Sequence, residues 1–352
     1  MTQLKVIVNK LNKRTSPVTD FANKSNIVGV VNEGFTFESV KQLKNNLGIW
    51  HQCKDGYWAW GKGFCDHKFL DSKNQIIDYN ILSLLPQEFK KTNGQGITVG
   101  ILDTGLFRHE AFANCKIIGK NFVDDNDDFV DRSLESHGTF VSGIIAAGMC
   151  DNNKMKGIAS NVSLIIGKIS ADSTISDSDT ILKGLVWLIK QQPDIINCSF
   201  DFSPLNKAVF DEILTSDNAK NIIWVAAGQD GTGTFNSTTY YPALNENFIA
   251  VGALKKEDLG LDEVNRINSH IKYIVPQLSF KSTDKFDFYS DAIGSSFASA
   301  LVTGNLALIK SRLKQNGSNN VESSDCIKIL DSNIEKLISA DQLQNPFLIF
   351  KR

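Results

Sequence analysis

Histidine is the side chain whose ordinary pKa lies closest to neutral pH, and this 352-residue chain contains five. One of them, His137, stands in the run SHGTFVSG at residues 136–143. The run predicts the start of a helix built from small residues. Such a helix can lie close to a neighbouring backbone, which would place the imidazole at the floor of a site. The alternative is a structural or exposed histidine at a helix start.

A candidate partner for this imidazole is Asp103, which follows the apolar residues Ile101 and Leu102 and precedes Thr104 and Gly105. The apolar run predicts a buried strand. An acid at the carboxyl end of a strand is well placed to orient an imidazole. The alternative is a turn-forming aspartate. Aspartic-protease chemistry is not indicated, because it needs two acids that share a proton and the chain has one Asp-Thr-Gly.

A candidate nucleophile is Ser296, in the run GSSFASA at residues 294–300. Residues 297–313 predict a long, mostly buried helix, and a serine at its N-terminus gains from the helix dipole and from free N–H groups. Its own backbone N–H could also stabilise an oxyanion. The alternative is a helix N-cap. The run is not G-x-S-x-G, so the nucleophile elbow of the α/β-hydrolases is not indicated.

The elements that must position these residues follow from the apolar pattern after Gly94. Continuous apolar runs are typical of strands buried on both faces, and here they alternate with helical stretches. One helix is predicted by the apolar stripe of Ile181–Ile189, with a cap at residues 176–178. The alternation predicts an α/β fold, a parallel sheet with helices on both faces. The predicted strands are 97–102, 162–166, 195–199, 222–227, 248–251 and 273–275.

The candidates occur in the order Asp103, His137, Ser296, which is the order found in subtilisin. Residues 94–352 therefore resemble the subtilisin-like serine proteases, or subtilases. The resemblance rests on three blocks, ILDTG at 101–105, HGTFVSG at 137–143 and GSSFASA at 294–300. It continues at residues 157–159, 162–169, 194–199, 241–243 and 249–253.

The resemblance implies a serine endopeptidase that hydrolyses peptide bonds through an acyl-enzyme. Ser296 would attack the carbonyl, His137 would carry the proton, and Asp103 would orient the imidazole. The Ser296 backbone N–H and Gln229 would form the oxyanion hole. The implied partner is a peptide or protein substrate, with no cofactor. The implied substrate-binding residues are Ser199, Phe200, Asp201, Ala226, Ala227 and Gly228.

The chain departs from the family pattern at several of these positions. Gln229 stands where the family usually has asparagine, so a pseudoprotease that binds peptides but cleaves weakly stays open as an alternative. Asp201 stands where glycine is usual, and its charge predicts a bias toward basic substrate residues. The run GSSFASA also differs, with Ser295 for the usual threonine, Phe297 for methionine and Ala300 for proline.

No metal site is predicted. The segment after Asp103 lacks the acid that commonly ligates a structural calcium in the family, so an inherited calcium site is not supported. An acidic loop precedes His137. It is interpreted as a solvated turn, with a cation or a basic substrate side chain as the alternative ligand. Its acids are Asp124, Asp125, Asp127, Asp128 and Asp131.

The first 65 residues have a different sequence pattern. Short β-rich runs alternate with turns, which predicts a small all-β barrel. The runs at 11–17, 28–34 and 48–50, with Trp60, resemble a bacterial SH3-like domain. Relatives of such domains often bind a peptide or cell-wall ligand. The tryptophans of residues 50–60 are interpreted as packing rather than as a ligand platform. Residues 66–93 are predicted to be a linker and 94–352 the peptidase domain, so a chain starting near Ser83 is expected to fold and cleave.

Composition excludes other classes. Lysine plus arginine number 37 and aspartate plus glutamate 39, a net charge of −2, so nucleic-acid binding is not expected. No uninterrupted apolar run reaches 18 residues, so no membrane span is expected. No signal peptide is readable, which predicts a cytoplasmic location if Met1 is the native start and secretion if it is not. The six scattered cysteines predict reduced thiols, with a Cys53–Cys65 pairing left open.

Overall fold

The chain divides into two compact units, one of Met1–Gln75 with Arg132–Glu135, the other of Ile76–Asp131 with Ser136–Arg352. The computed structural model describes the backbone of residues 2–6, 10–19, 24–32, 36–45, 48–60, 64–66, 77–148, 155–172, 177–230, 240–254, 267, 269–276, 279–285, 289–318, 321–336 and 349–352. No helix in these ranges is long and apolar enough to cross a bilayer.

The N-terminal unit is an antiparallel sheet of seven strands, which confirms the all-β prediction. Its core holds Val18, Trp50 and Trp58, so these two tryptophans pack inward. The strands are β1 (Thr2–Val6), β2 (Lys10–Arg14), β3 (Ile27–Asn32), β4 (Thr36–Asn45), β5 (Gly48–Cys53), β6 (Trp58–Trp60) and β7 (Phe64–Asp66), in the order β3-β2-β6-β5-β4-β1-β7.

Cys53, at the end of β5, is a buried free thiol. Strands β5 and β7 are separated in the sheet by β4 and β1, so the strands of Cys53 and Cys65 are not neighbours. The side chain of Cys65 lies outside the described residues. Burial raises the pKa of Cys53 to about 12, so its thiol stays protonated near neutral pH.

The C-terminal unit is built on a nine-stranded sheet whose first seven strands run parallel, as the apolar runs predict. All seven residues of β15 (Phe248–Leu254) are buried. The other strands are β9 (Thr98–Asp103), β10 (Ile117–Asn121), β12 (Ser163–Lys168), β13 (Ile195–Cys198), β14 (Ile223–Asp230), β16 (Ile271–Pro276), β19 (Glu335–Lys336) and β20 (Phe350–Lys351). Their order is β10-β12-β9-β13-β14-β15-β16-β20-β19.

Helices cover both faces of this sheet, which confirms the predicted layering. Helices α3 (His137–Ala146) and α6 (Ser295–Gln315) share a core with Val99 and Ile101, while α4 (Ser178–Lys190) and α5 (Lys207–Thr215) share the opposite core with Leu102. The Asp177 side chain caps α4, as predicted, by accepting the Thr180 N–H at 3.0 Å. The remaining helices are α1 (Tyr79–Leu82), α2 (Gln87–Lys90) and α7 (Ser323–Ser332).

Residues 77–93, predicted to be linker, are part of this unit. Strand β8 (Ile77–Asp78) pairs with β11 (Met155–Lys156). The buried Tyr79 hydroxyl donates to the Lys281 carbonyl at 2.9 Å and accepts the Lys281 N–H at 3.0 Å. Lys281 belongs to the hairpin of β17 (Phe280–Thr283) and β18 (Tyr289–Ala292). The segment before α2 therefore helps to build the C-terminal core.

We predict that a chain starting at Ile76 is markedly more stable than one starting at Ser83, because the shorter chain lacks Tyr79. Losing a buried aromatic side chain costs about 3–5 kcal/mol, so its melting temperature should be about 10 °C lower. Tyr79→Phe, which removes only the hydroxyl, should cost about 1 kcal/mol. Thermal unfolding of the three proteins checks this; equal midpoints for the two truncated chains would contradict it.

Candidate active site

Asp103 ends β9 with its side chain 3% exposed, so the carboxylate is nearly removed from water. Its Oδ1 accepts the Thr104 N–H at 2.7 Å. Both carboxylate oxygens lie within hydrogen-bonding distance of His137 Nδ1, Oδ1 at 2.8 Å and Oδ2 at 3.0 Å. A carboxylate only accepts, so Nδ1 carries the proton and Nε2 keeps its lone pair. The contact thereby fixes the orientation of the imidazole ring.

His137 is the first residue of α3, and Gly138 lets this helix approach the end of β9. A Cβ on Gly138 would lie 2.3 Å from the Gly105 carbonyl oxygen and 3.0 Å from the Asp103 Cβ. Gly105 has φ of +109°, a conformation that favours glycine. The small residues at this approach therefore allow the Asp103 and His137 side chains to meet, and these two residues are called the dyad below.

Ser296 occupies the first turn of α6 and is partly exposed. Its hydroxyl donates to the Ser199 carbonyl at 3.1 Å, and the Ser199 hydroxyl donates to the Ser296 carbonyl at 3.0 Å. Ser199 directly follows β13, so this reciprocal pair fixes the start of α6 at the carboxyl edge of the sheet. First-turn N–H groups have no acceptor within their own helix, which leaves such groups able to bind an oxyanion.

Phe297 connects the helix of Ser296 to the imidazole. Its ring centroid lies 5.5 Å from that of His137 and 4.4 Å from that of Phe140 in α3. Helices α3 and α6 thus meet through this aromatic contact. The structure brings Asp103 and His137 into direct contact, and it places Ser296 one residue from a ring that lies against His137.

The chain was also compared with known proteins and families. Residues 94–330 match the model of the family described as "Subtilase family". The chain belongs to the subtilase family.

Two curated relatives are serine proteases by name. The "Major intracellular serine protease" of Bacillus subtilis (strain 168) is 33% identical over 258 residues, covering 68% of this chain and 78% of the relative. The "Intracellular serine protease" of Paenibacillus polymyxa is 31% identical over 233 residues, covering 64% of this chain and 70% of the relative. "Subtilisin DY" of Bacillus licheniformis is 30% identical over 221 residues, covering 62% and 78%. This subtilase is a hydrolase, a serine endopeptidase.

The predicted substrate residues of the subtilase lie at the ends of two neighbouring strands. Asp201, three residues beyond β13, is exposed, so an ion pair with a substrate side chain would contribute little. In β14, Ala226 is buried, Ala227 and Gly228 are half-buried, and the register shifts between Ala227 and Gln229. The Gln229 side chain lies outside the described residues. Ser199 is buried and Phe200 half-buried.

The acidic loop of the subtilase contains one acid that differs from the rest. Asp124, Asp125, Asp127 and Asp128 are exposed, as a solvated turn predicts, but Asp131 is 0% exposed. Spacing in the sequence does not separate it from the other four. Within the described residues, no group of three or more His, Cys, Asp or Glu side chains is arranged to hold a metal ion.

Cys198 is a buried thiol near the dyad, and its strand neighbour in β9 is Leu102. Burial, with the charge of Asp103 as a smaller cause, raises the pKa of Cys198. The thiol therefore stays protonated and does not compete with a serine as nucleophile.

We predict that Gly138→Ala disables the subtilase although alanine favours helix by about 1 kcal/mol. The added methyl must displace the Gly105 carbonyl or the Asp103 side chain, and a shift of about 1 Å costs about 10²-fold in turnover. Gly148→Ala, just past the other end of α3, is the matched control, because its Cβ would lie 3.5 Å from its nearest neighbour. The turnover of a peptide substrate is measured for both variants and for the wild type. An equal loss of turnover in both variants argues against the close-approach explanation.

Proposed function

We propose that Asp103, His137 and Ser296 form the catalytic triad of this endopeptidase. The observation that carries the proposal is the 2.8 Å contact between Asp103 and His137 at the carboxyl edge of the sheet. The order of Asp103, His137 and Ser296 along the chain and the match to the subtilase family support the proposal.

Each residue then has a defined step. Substrate binding turns the Ser296 hydroxyl from the Ser199 carbonyl toward His137 Nε2, which takes the proton as Oγ attacks the peptide carbonyl. His137 passes that proton to the leaving amine, and an acyl-enzyme ester forms on Ser296. Water then attacks the ester as His137 takes a proton from it, and His137 passes that proton to Ser296 Oγ as the acid product leaves. Asp103 stabilises the imidazolium throughout.

The test is reaction with a fluorophosphonate probe, which labels activated serines. We predict that the wild-type chain is labelled and cleaves peptides, while Ser296→Ala does neither. His137→Ala should lose labelling too, because without a base the hydroxyl remains a weak nucleophile. A wild-type chain that is not labelled and is no faster than Ser296→Ala would overturn the triad and favour a peptide-binding pseudoprotease.

Gln229 is proposed as the side-chain donor of the oxyanion hole, with the Ser296 N–H as the backbone donor. Compared with asparagine, glutamine places its amide about one methylene, or ~1.5 Å, further from the backbone. The pairing of β14 with β15 shifts register between Ala227 and Gln229, and a shift of this kind re-aims the side chains beside it. We therefore propose that the Gln229 amide donates to the oxyanion but is not optimally placed to do so.

We predict that turnover lies between that of an ordinary subtilase and that of one lacking its side-chain donor, whose loss costs about 10²–10³-fold in subtilisin. Gln229→Asn should raise turnover and Gln229→Ala should lower it. Initial rates with one peptide substrate measure both. A Gln229→Ala protein as fast as wild type would show that the side chain does not assist.

The substrate class is peptides and proteins, with at most a weak preference for basic residues from the exposed Asp201. The relatives named as intracellular proteases support a cytoplasmic location.

For the N-terminal unit we propose an SH3-like barrel that binds a peptide or cell-wall ligand. Its seven antiparallel strands and buried tryptophans support the barrel. Trp50 and Trp58 are buried in its core, so we assign them a packing role and not a ligand-binding one.

A further inference from the structure

Asp131 is a fully buried carboxylate beside the dyad, and its contacts are defined. Its Oδ2 accepts hydrogen bonds from the Thr104 hydroxyl at 3.0 Å, the Thr139 N–H at 3.1 Å and the Thr139 hydroxyl at 2.9 Å. Burying a charge is costly unless several donors satisfy it. The arrangement therefore holds the carboxylate in one place and orientation.

The carboxylate in turn fixes where both hydroxyls point. Each hydroxyl has one proton, and that proton is directed to Asp131, so the oxygen lone pairs face backbone donors. Thr104 Oγ1 accepts the Gly138 N–H at 2.9 Å, and Thr139 Oγ1 accepts the Phe107 N–H at 2.9 Å. Thr104 follows Asp103 and Gly138 follows His137. One buried acid thus sets the register between the two segments that carry the dyad.

These bonds also complete the start of α3. Ser136, at the N-cap, has φ of +49° and makes no side-chain cap. The first N–H groups of a helix need acceptors from outside it. The Gly138 and Thr139 N–H groups find them in Thr104 and Asp131. A negative charge at this end also offsets the positive end of the helix dipole, where His137 must become an imidazolium.

The segment that carries Asp131 is itself held on both sides. The Phe129 carbonyl accepts the Leu106 N–H at 3.0 Å. The Val130 carbonyl accepts from the ammonium of Lys168, a buried side chain at the end of β12, at 2.8 Å. The acid is therefore anchored to the segment that follows β9 and to the end of β12, rather than carried by a solvated turn.

We propose that Asp131 is a positioning residue of the reaction, which holds His137 in register with Asp103 through Thr104 and Thr139. The proposal rests on the proposed triad. Because Asp131 is buried and does not reach substrate, it acts on the chemical step and not on substrate binding. Its loss should therefore change kcat and leave KM.

The experiment compares Asp131→Asn with Asp127→Asn in the full chain. The second variant removes the same charge from an exposed position of the same loop. Both are assayed on one peptide substrate, with kcat calculated per active site titrated by a fluorophosphonate. We expect Asp131→Asn to lower kcat by about 10–10²-fold, with KM within about three-fold of wild type, and Asp127→Asn to match wild type.

A second pair of variants isolates the hydroxyl link. Thr104→Ser keeps the hydroxyl and should lose much less kcat than Thr104→Val, which has nearly the same shape without it. Asp131→Asn and Thr104→Val should be non-additive when combined, because they break one chain of bonds.

A kcat of Asp131→Asn within three-fold of wild type overturns the proposal. Should Asp131→Asn fail to fold, the Thr104 pair decides, and equal kcat values for serine and valine overturn it. A wild-type chain that is not labelled overturns the triad instead, so the two failures are distinguishable.

Discussion

The contact between the Asp103 carboxylate and His137 Nδ1 joins two segments that are distant in the chain, the end of β9 and the start of α3. It requires the helix to approach the strand more closely than a Cβ at position 138 would allow, and Gly138 supplies that space. It also requires a fixed imidazole tautomer, which the acceptor-only carboxylate imposes. Because the Asp103 carboxylate is buried, both requirements must be met by the residues packed around it, and most features of the site follow from this.

The position of Ser296 depends on a second buried network. The Thr303 hydroxyl donates to Asn197 Oδ1 at 2.9 Å, the Asn197 amide donates to the Ser199 hydroxyl at 2.7 Å, and Ser199 bonds to Ser296. Polar groups in a core are stable when every member is partnered. These groups join β13 to the middle and the start of α6, so the first turn of the helix cannot slide along the sheet.

The sequence predicted the elements that have a strong periodic signal and missed those that do not. Continuous apolar runs located most of the parallel strands. Strand β10 was not predicted, because it lies at the sheet edge and mixes buried with exposed positions. Residues 77–93 were interpreted as a linker because their apolar residues are scattered. Tyr79 nonetheless packs in the core through partners about 200 residues away.

Residue types and local spacing by themselves indicated the fold class and offered Asp103, His137 and Ser296 as candidates, because apolar periodicity and small-residue runs are local properties. Tertiary structure alone decided which of five similar aspartates is buried, since burial depends on the threonines that β9 and α3 bring to it. It also decided that Asp201 is exposed and that Cys198 is an inert thiol beside the dyad. Each of these outcomes depends on contacts between segments distant in the chain, which no local pattern encodes.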